Sequence, residues 1–397
     1  MAVIYYSGNQ RSRAVEYAPT VTAIASTQTI TATINGKAEV YVSDTADATT
    51  AAAAASSQFS ASLLLELQNF TFGSDGAVIT AVGPATGAPV AITFSSTGTL
   101  SGAAATVTAL SPSNVSDAAN FVGGVAPVNG DTLVIENTAV DLLYGLSTYA
   151  ANTILFVRRA SHAGVVGLPD TNPLGYPEYL PTHFETAGVT LTVEDGGQGF
   201  VRIKSAAGSA VTASISGNGP GTLGNENVEI FGTPASSVIN LNGGSLAFCP
   251  TGSQTGTAAT IRCANAALRI GGGATVTAAT AQSSQVSSAS TITTYTQDRG
   301  TTTTFGRAAG GTTLNIEDGT FAHNSTGGWT TVNINSGGTY DVSFAPTTVA
   351  ITTINLAEDG TLLDPNERIV QPYALNINGE LENVSMDLGT TVALTVG

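Results

Sequence analysis

The sequence predicts a mainly β protein: a right-handed parallel β-helix over residues 131–397, preceded by a small ββαββ domain and an N-terminal arm. The first observation behind this is a phrase repeated four times near the C-terminus, at Thr312–Ile316, Thr330–Ile334, Thr352–Leu356 and Tyr373–Ile377. Each phrase centres on an asparagine (Asn315, Asn333, Asn355 and Asn376), and the period of about 20 residues suits one coil of a solenoid. Second, each phrase runs into a glycine turn and a further apolar stretch, as in Glu317-Asp318-Gly319-Thr320-Phe321. Third, only 10% of residues are charged, and Thr, Ser, Ala and 45 glycines take their place. β-Branched threonine suits a pleated surface and glycine supplies corners, so this composition favours many short strands joined by tight turns. Alternation along a strand sends Leu314, Ile316, Val332, Ile334, Ile354, Leu356, Leu375 and Ile377 inward and the four asparagines outward. A single coil cannot bury its own apolar face, so the coils must stack.

Residues 1–26 form the arm, which has mixed composition, no sustained period and the basic pair Arg11 and Arg13. Residues 27–110 make the ββαββ unit. Its first hairpin joins Thr29–Ile34 to Ala38–Val42 through Asn35-Gly36, a strong two-residue turn signal. A run free of Gly and Pro follows from Asp47 to Gln68. Phe59, Leu63 and Leu67 recur there at helical spacing, which predicts an amphipathic helix capped by Asp44 or Asp47. Ala77–Val82 and Pro89–Phe94 are expected to form the second hairpin, around Gly83–Gly87. Residues 111–130 link this unit to the β-helix, whose first strand is expected at Thr132–Ile135. Residues 158–189 carry Pro169, Pro173, Pro177 and Pro181. Proline blocks ladder donors, so this segment is expected to leave the solenoid as a long loop, with its aromatics serving as a contact surface.

Composition also excludes some functions. The net charge is −16, and the 12 basic residues are scattered, with Arg158-Arg159 the only adjacent pair. Nucleic-acid binding needs clustered Lys and Arg to neutralise phosphates, so no nucleic-acid partner is expected. No apolar run approaches the roughly 20 residues that cross a bilayer, and no membrane partner is expected. The opening residues lack the basic and apolar regions of a signal peptide, which predicts synthesis in a host cytosol. Cys249 and Cys263 have no companion ligands at zinc spacing and are expected to be small buried core residues, a later disulfide being the alternative. A weakly charged surface fits either solvation by hydroxyls and amides or cover by neighbouring subunits.

The passage Asn120-Phe121-Val122-Gly123-Gly124-Val125-Ala126-Pro127-Val128-Asn129-Gly130-Asp131 continues through Thr132–Glu136, with Asp141–Leu146, Gly167–Asp170 and Tyr176–Tyr179 downstream. It resembles a group of phage and prophage virion structural proteins, in which an asparagine-aromatic, Gly-Gly, Pro, Gly-Asp signature precedes a Thr/Gly-rich parallel β-helix. That signature usually has Trp where this chain has Phe121. The Asn35-Gly36 hairpin and Ala-rich helix are similar to small domains of phage surface and tail proteins. The resemblance implies a virion component rather than an enzyme, and it offers no active-site residues to transfer.

Phage β-helices that cleave polysaccharides use paired carboxylates. The candidate pairs are Glu136 with Asp141, Glu226 with Glu229, and the Glu-Asp-Gly triplets at 194–196, 317–319 and 358–360. The triplets recur at equivalent turns, as corner chemistry would. No calcium nonapeptide, EF-hand spacing, nucleophile elbow or phosphate-cradling loop is present, and His162, His183 and His323 lack metal spacing. No catalytic, metal or cofactor residue is therefore assigned. The expectation is a non-enzymatic capsid decoration (cement) protein on the surface of a phage head, a homotrimer bound to the major capsid protein. The rival is a tail fibre or tailspike, with depolymerase activity as one form of it. The candidate contacts are Tyr5, Tyr6, Arg11, Arg13, Arg158, Arg159, Tyr176 and Tyr179.

Overall fold

A computed structural model describes residues 2–389 except 9–14, 35–36, 69, 84–91, 103–105, 108–113, 116, 144, 168–182, 188–189, 196–198, 207, 300–301, 306–308, 371–372 and 381–383. The chain is mainly β, 50% strand and 7% helix, and most of it is a parallel β-solenoid of about 10 turns. A first ladder runs from Val3–Tyr6 through Thr132–Ile135 and Leu155–Arg158, then turn by turn to Ala374–Asn378. Parallel second-face strands run from Phe184–Thr186 to Thr302–Phe305 and from Gly319–Ala322 to Ser385–Asp387.

One interior column fixes the register of the first ladder. Ile4, Leu133, Phe156, Leu191, Ala213, Ile239 and Ile261 follow one another rung by rung, and the column continues through Ala279, Tyr295, Leu314, Val332 and Ile354. All of these are buried, and each large aliphatic contributes about 1.5–3 kcal/mol by leaving water. The predicted inward residues obey this register: Leu314, Ile316, Val332, Ile334, Ile354 and Leu356 are fully buried, while Leu375 and Ile377, at the end of the stack, are half-buried. The asparagines face outward. Close corners use glycine where a side chain cannot fit. Gly244 has φ +73°, and a Cβ there would lie 2.6 Å from the Asp195 carboxylate.

The N-terminal arm is corrected. Val3–Tyr6 is the first rung of the solenoid, paired in parallel with Thr132–Ile135, and Ile4 and Tyr6 belong to its core. Val15–Tyr17 and Thr20–Ala23 join the sheet of the small domain. The small domain is therefore an insertion between the first two rungs, with a hydrophobic core of its own. Residues 111–130 are more than a linker, since Val115 and Phe121 are buried in the solenoid core.

Inside the small domain, Thr29–Ile34 and Lys37–Val42 pair as expected, although the turn residues Asn35 and Gly36 lie outside the described residues. The second hairpin is different. Val78–Val82 pairs with Thr71–Asp75 around Gly76-Ala77, where Gly76 takes φ +56°, and Ile92–Ser96 pairs instead with Thr29–Ile34. Helix α1 (Ala48–Ser60) is capped by the Asp47 carboxylate, which accepts from the Thr50 amide at 2.7 Å. The predicted 47–68 helix is broken: α1 ends at Ser60, the Ser62 hydroxyl donates to Glu39 at 2.8 Å, and a separate short helix covers Leu65–Gln68. Leu63, between the two helices, is 91% exposed, while Phe59 at the end of α1 and Leu67 in the second helix are both buried.

Described parts of 158–189 belong to the solenoid. Val166 bridges in parallel to Leu142 and Val201, and Phe184–Thr186 is a second-face strand. The four prolines, with Tyr176 and Tyr179, lie outside the described residues.

Candidate functional site: the N-terminal end of the solenoid

The signature segment 120–131 works as a clasp on the first rung. The Asn120 carbonyl accepts from the amides of Ser7 (2.8 Å) and Gly8 (2.9 Å), and the buried Asn120 amide donates to the Asn114 carbonyl at 2.8 Å. Gly123, Gly124 and Gly130 adopt φ of 85°, 68° and 87°, which lets the chain curl back over that rung. At the other end the Asp131 carboxylate accepts from the amides of Ala2 (2.7 Å) and Val128 (3.1 Å). These two bonds hold its pKa below the ordinary carboxylate value.

Tyr5 and Tyr6 have opposite fates because a strand alternates its faces. Tyr6 is buried against Phe121, its hydroxyl donates to the Asp141 carbonyl at 2.6 Å, and burial raises its pKa. It is a core residue and not a contact. Tyr5 faces outward over a groove of about 520 Å³ that it shares with Ser7, Val122, Glu136, Asn137 and Thr138. The first rung and the clasp expose Val3 (54%), Tyr5 (41%), Val122 (62%), Val125 (55%) and Val128 (61%), along with the polar Asn129 and Asn137. The signal for this patch lay in the valines that flank Gly123-Gly124 and Pro127, a segment the sequence reading treated as linker.

The adjacent arginines also part company. Arg159 is exposed and bonds Glu194 at 2.5 Å, which raises the arginine's pKa. The Glu194 carboxylate also accepts from the Ala160 amide, and the two bonds together lower its pKa. Arg158 is corrected from contact to core. It is 1% exposed and donates to the carbonyls of Glu194 and His162, both at 2.7 Å. Arg11, Arg13, Tyr176 and Tyr179 lie outside the described residues, so the structure brings together only Tyr5 and Arg159 of the predicted contacts.

The candidate carboxylate pairs have separate partners. Glu226 meets Arg269 at 2.8 Å, while Glu229 accepts from Gln254 at 2.5 Å and lies 3.6 Å from Arg202. Glu194 and Asp195 end a strand instead of occupying a turn, and Asp195 accepts from Asn227 and from the Ser245 amide. Glu317 accepts from Asn335 at 2.6 Å, on the next coil. The Cys249 and Cys263 thiols are free and buried, with pKa values pushed up to about 12 and about 11 by desolvation.

Two further networks were not anticipated. On the outer face, Asn376 donates to Asn355 (2.8 Å), Asn355 to Asn333 (2.7 Å), Asn333 to Asn315 (2.7 Å), and Asn315 to the Thr296 hydroxyl (3.1 Å). Inside the solenoid, His323 bonds the Tyr340 hydroxyl at 3.0 Å through Nδ1 and the Ser325 carbonyl at 3.1 Å through Nε2. Among the described residues there is no group of three or more His, Cys, Asp or Glu that could hold a metal ion, and no helix is long and apolar enough to cross a membrane. No protein family, curated protein or solved structure matches this chain.

Proposed function

We propose that the chain is a virion structural protein, a decoration (cement) protein that binds and stabilises the outer surface of a phage head. In this reading it is made in the host cytoplasm, assembles as a homotrimer and docks on the major capsid protein. The observation that carries the reading is the outer asparagine column, whose amides bond one another from rung to rung instead of converging on a ligand. Such a column stiffens the stack, and a stiff protein that binds only an assembled lattice stabilises it by mass action. The inserted small domain supplies the particle-facing element. It is tethered at both ends and exposes Val40, Val42, Leu63 and Leu65.

A second reading, a receptor-binding tail fibre or tailspike, draws on a shallow outer groove of about 310 Å³. Asn240, Asn242, Arg262, Thr280 and Gln282 line it with Leu241, Cys263 and Ala264, a mix of polar groups and apolar surface that suits a sugar ring. Copy number separates the two readings. Quantitative mass spectrometry of purified particles should find this chain in numbers comparable with the major capsid protein. A handful of copies per particle would favour the tail, and absence from particles would end both readings.

A further inference from the structure

Among the described pairings of the solenoid, one shifts register. Thr212–Pro220 runs parallel to Val238–Phe248 with Ser216 opposite Asn242 and Pro220 opposite Gly244, so Gly217, Asn218 and Gly219 stand against the single Gly243. A bulge of this kind bends its strand and leaves the extra residues out of the ladder. Beside it lies a cavity of about 380 Å³, lined also by the loop that follows the bulge and by Asp195 at the end of Thr190–Asp195. Glycine lets the walls close up: a Cβ on Gly217 would lie 2.4 Å from the Gly244 nitrogen, and one on Gly221 would lie 2.2 Å from the Gly244 carbonyl oxygen. Asp195 is only 7% exposed, yet it lines the cavity. The Asn227 side-chain amide and the Ser245 backbone amide fix its orientation, donating to separate carboxylate oxygens at 3.1 Å each.

The lining chemistry names the class of ligand. Among the described residues that line the cavity, Asp195 is the only charged one and none is aromatic. A phosphate or carboxylate would meet an anion with no cation to offset it. A hard metal ion needs several converging oxygens, and here two N–H groups already point at the carboxylate. A flat base or indole would find no ring to stack on. A hydroxyl group fits. It can donate to a carboxylate, which accepts up to about four hydrogen bonds, and accept from an asparagine amide. Asn218, Thr222 and Asn225 are exposed and add donors and acceptors, while Pro220 and the glycine methylenes offer apolar surface to C–H groups. The volume falls in the range of small-ligand pockets.

We propose that this cavity binds a neutral polyhydroxylated ring, a single pyranose sugar, with Asp195 accepting from its hydroxyls and Asn218 and Asn225 as further partners. The cavity shares no lining residue with the outer groove of about 310 Å³, and the proposal rests on neither reading of the particle. Saturation-transfer NMR of the full chain tests it, titrated with glucose, galactose, mannose and N-acetylglucosamine, with glucuronate as the charged comparison. At least one neutral sugar binds at millimolar concentration, and glucuronate binds at least roughly tenfold more weakly than that sugar. The methyl glycoside of the same sugar separates two sources: retained binding marks the end of a glycan chain, and lost binding marks a free sugar. Asn218→Ala combined with Asn225→Ala removes two exposed partners and weakens binding at least roughly tenfold. Circular dichroism confirms that this variant is folded. No transfer to any of the four neutral sugars overturns the proposal, as does glucuronate binding as tightly, or sugar binding that survives the double change. Binding lost in Gln282→Ala but kept in the double change assigns the sugar to the outer groove, which overturns this proposal and leaves the tail reading standing.

Discussion

Asn333 lies in the middle of the outer column, donating to Asn315 and accepting from Asn355. Replacing it with alanine removes both bonds and strands half-buried partners, so Asn333→Ala should cost about 1–3 kcal/mol in denaturant unfolding. Asn376 is exposed at the end of the described column and among the described residues makes only the donor bond, so Asn376→Ala should cost less. His323 adds a pH dependence. Loss of solvation on burial lowers its pKa from 6.5 to about 4, and the bond to the Ser325 carbonyl only partly offsets this. The unfolded chain therefore takes up this proton first. The contribution is intact above pH 6.5 and is lost as pH falls toward about 4, a change of roughly 3 kcal/mol. Stability measured across that window should fall less steeply in His323→Gln than in the wild type.

At the scale of elements, the C-terminal coils were legible and the N-terminal end was not. Leu314, Val332 and Ile354 announce their register because each sits in the same short phrase, and a one-residue slip would expose them all. Val3–Tyr6 carries no such cue: a four-residue strand whose partner is Thr132–Ile135 cannot be paired from local pattern. The same limit misplaced Ile92–Ser96. Its true partner, Thr29–Ile34, lies on the far side of the helix in sequence, while the tight Gly76-Ala77 turn claimed Val78–Val82 for the strand before it. Leu63 fits the helical stripe by spacing but lies beyond the end of α1, where Ser62 makes a tertiary bond to Glu39 that spacing does not contain. Of the predicted contacts, Tyr5 and Arg159 are exposed, while alternation and burial withdraw Tyr6 and Arg158. The first rung is integral to the core, so Tyr6→Ala should cost about 3–5 kcal/mol of unfolding free energy, the usual loss for a large buried ring. Tyr5→Ala should change stability little, and a differential unfolding curve compares the two directly.

For the whole molecule, the organisation is a solenoid whose first rung precedes the small domain and whose second rung follows it. Deleting residues 1–26 would therefore remove the closing rung together with two strands of the small domain. That outcome differs from the loss of a dispensable arm. The clasp by Asn120 and Asp131, the burial of Tyr6 and the outward patch around Tyr5 all depend on that rung being in the ladder. Hydrogen exchange read by mass spectrometry on the intact chain tests this point most directly. The peptide spanning residues 2–7 should be protected at least roughly a hundredfold over an unstructured peptide, in step with the peptide spanning 132–135. Exchange of residues 2–7 at the unstructured rate, with 132–135 still protected, would contradict the account.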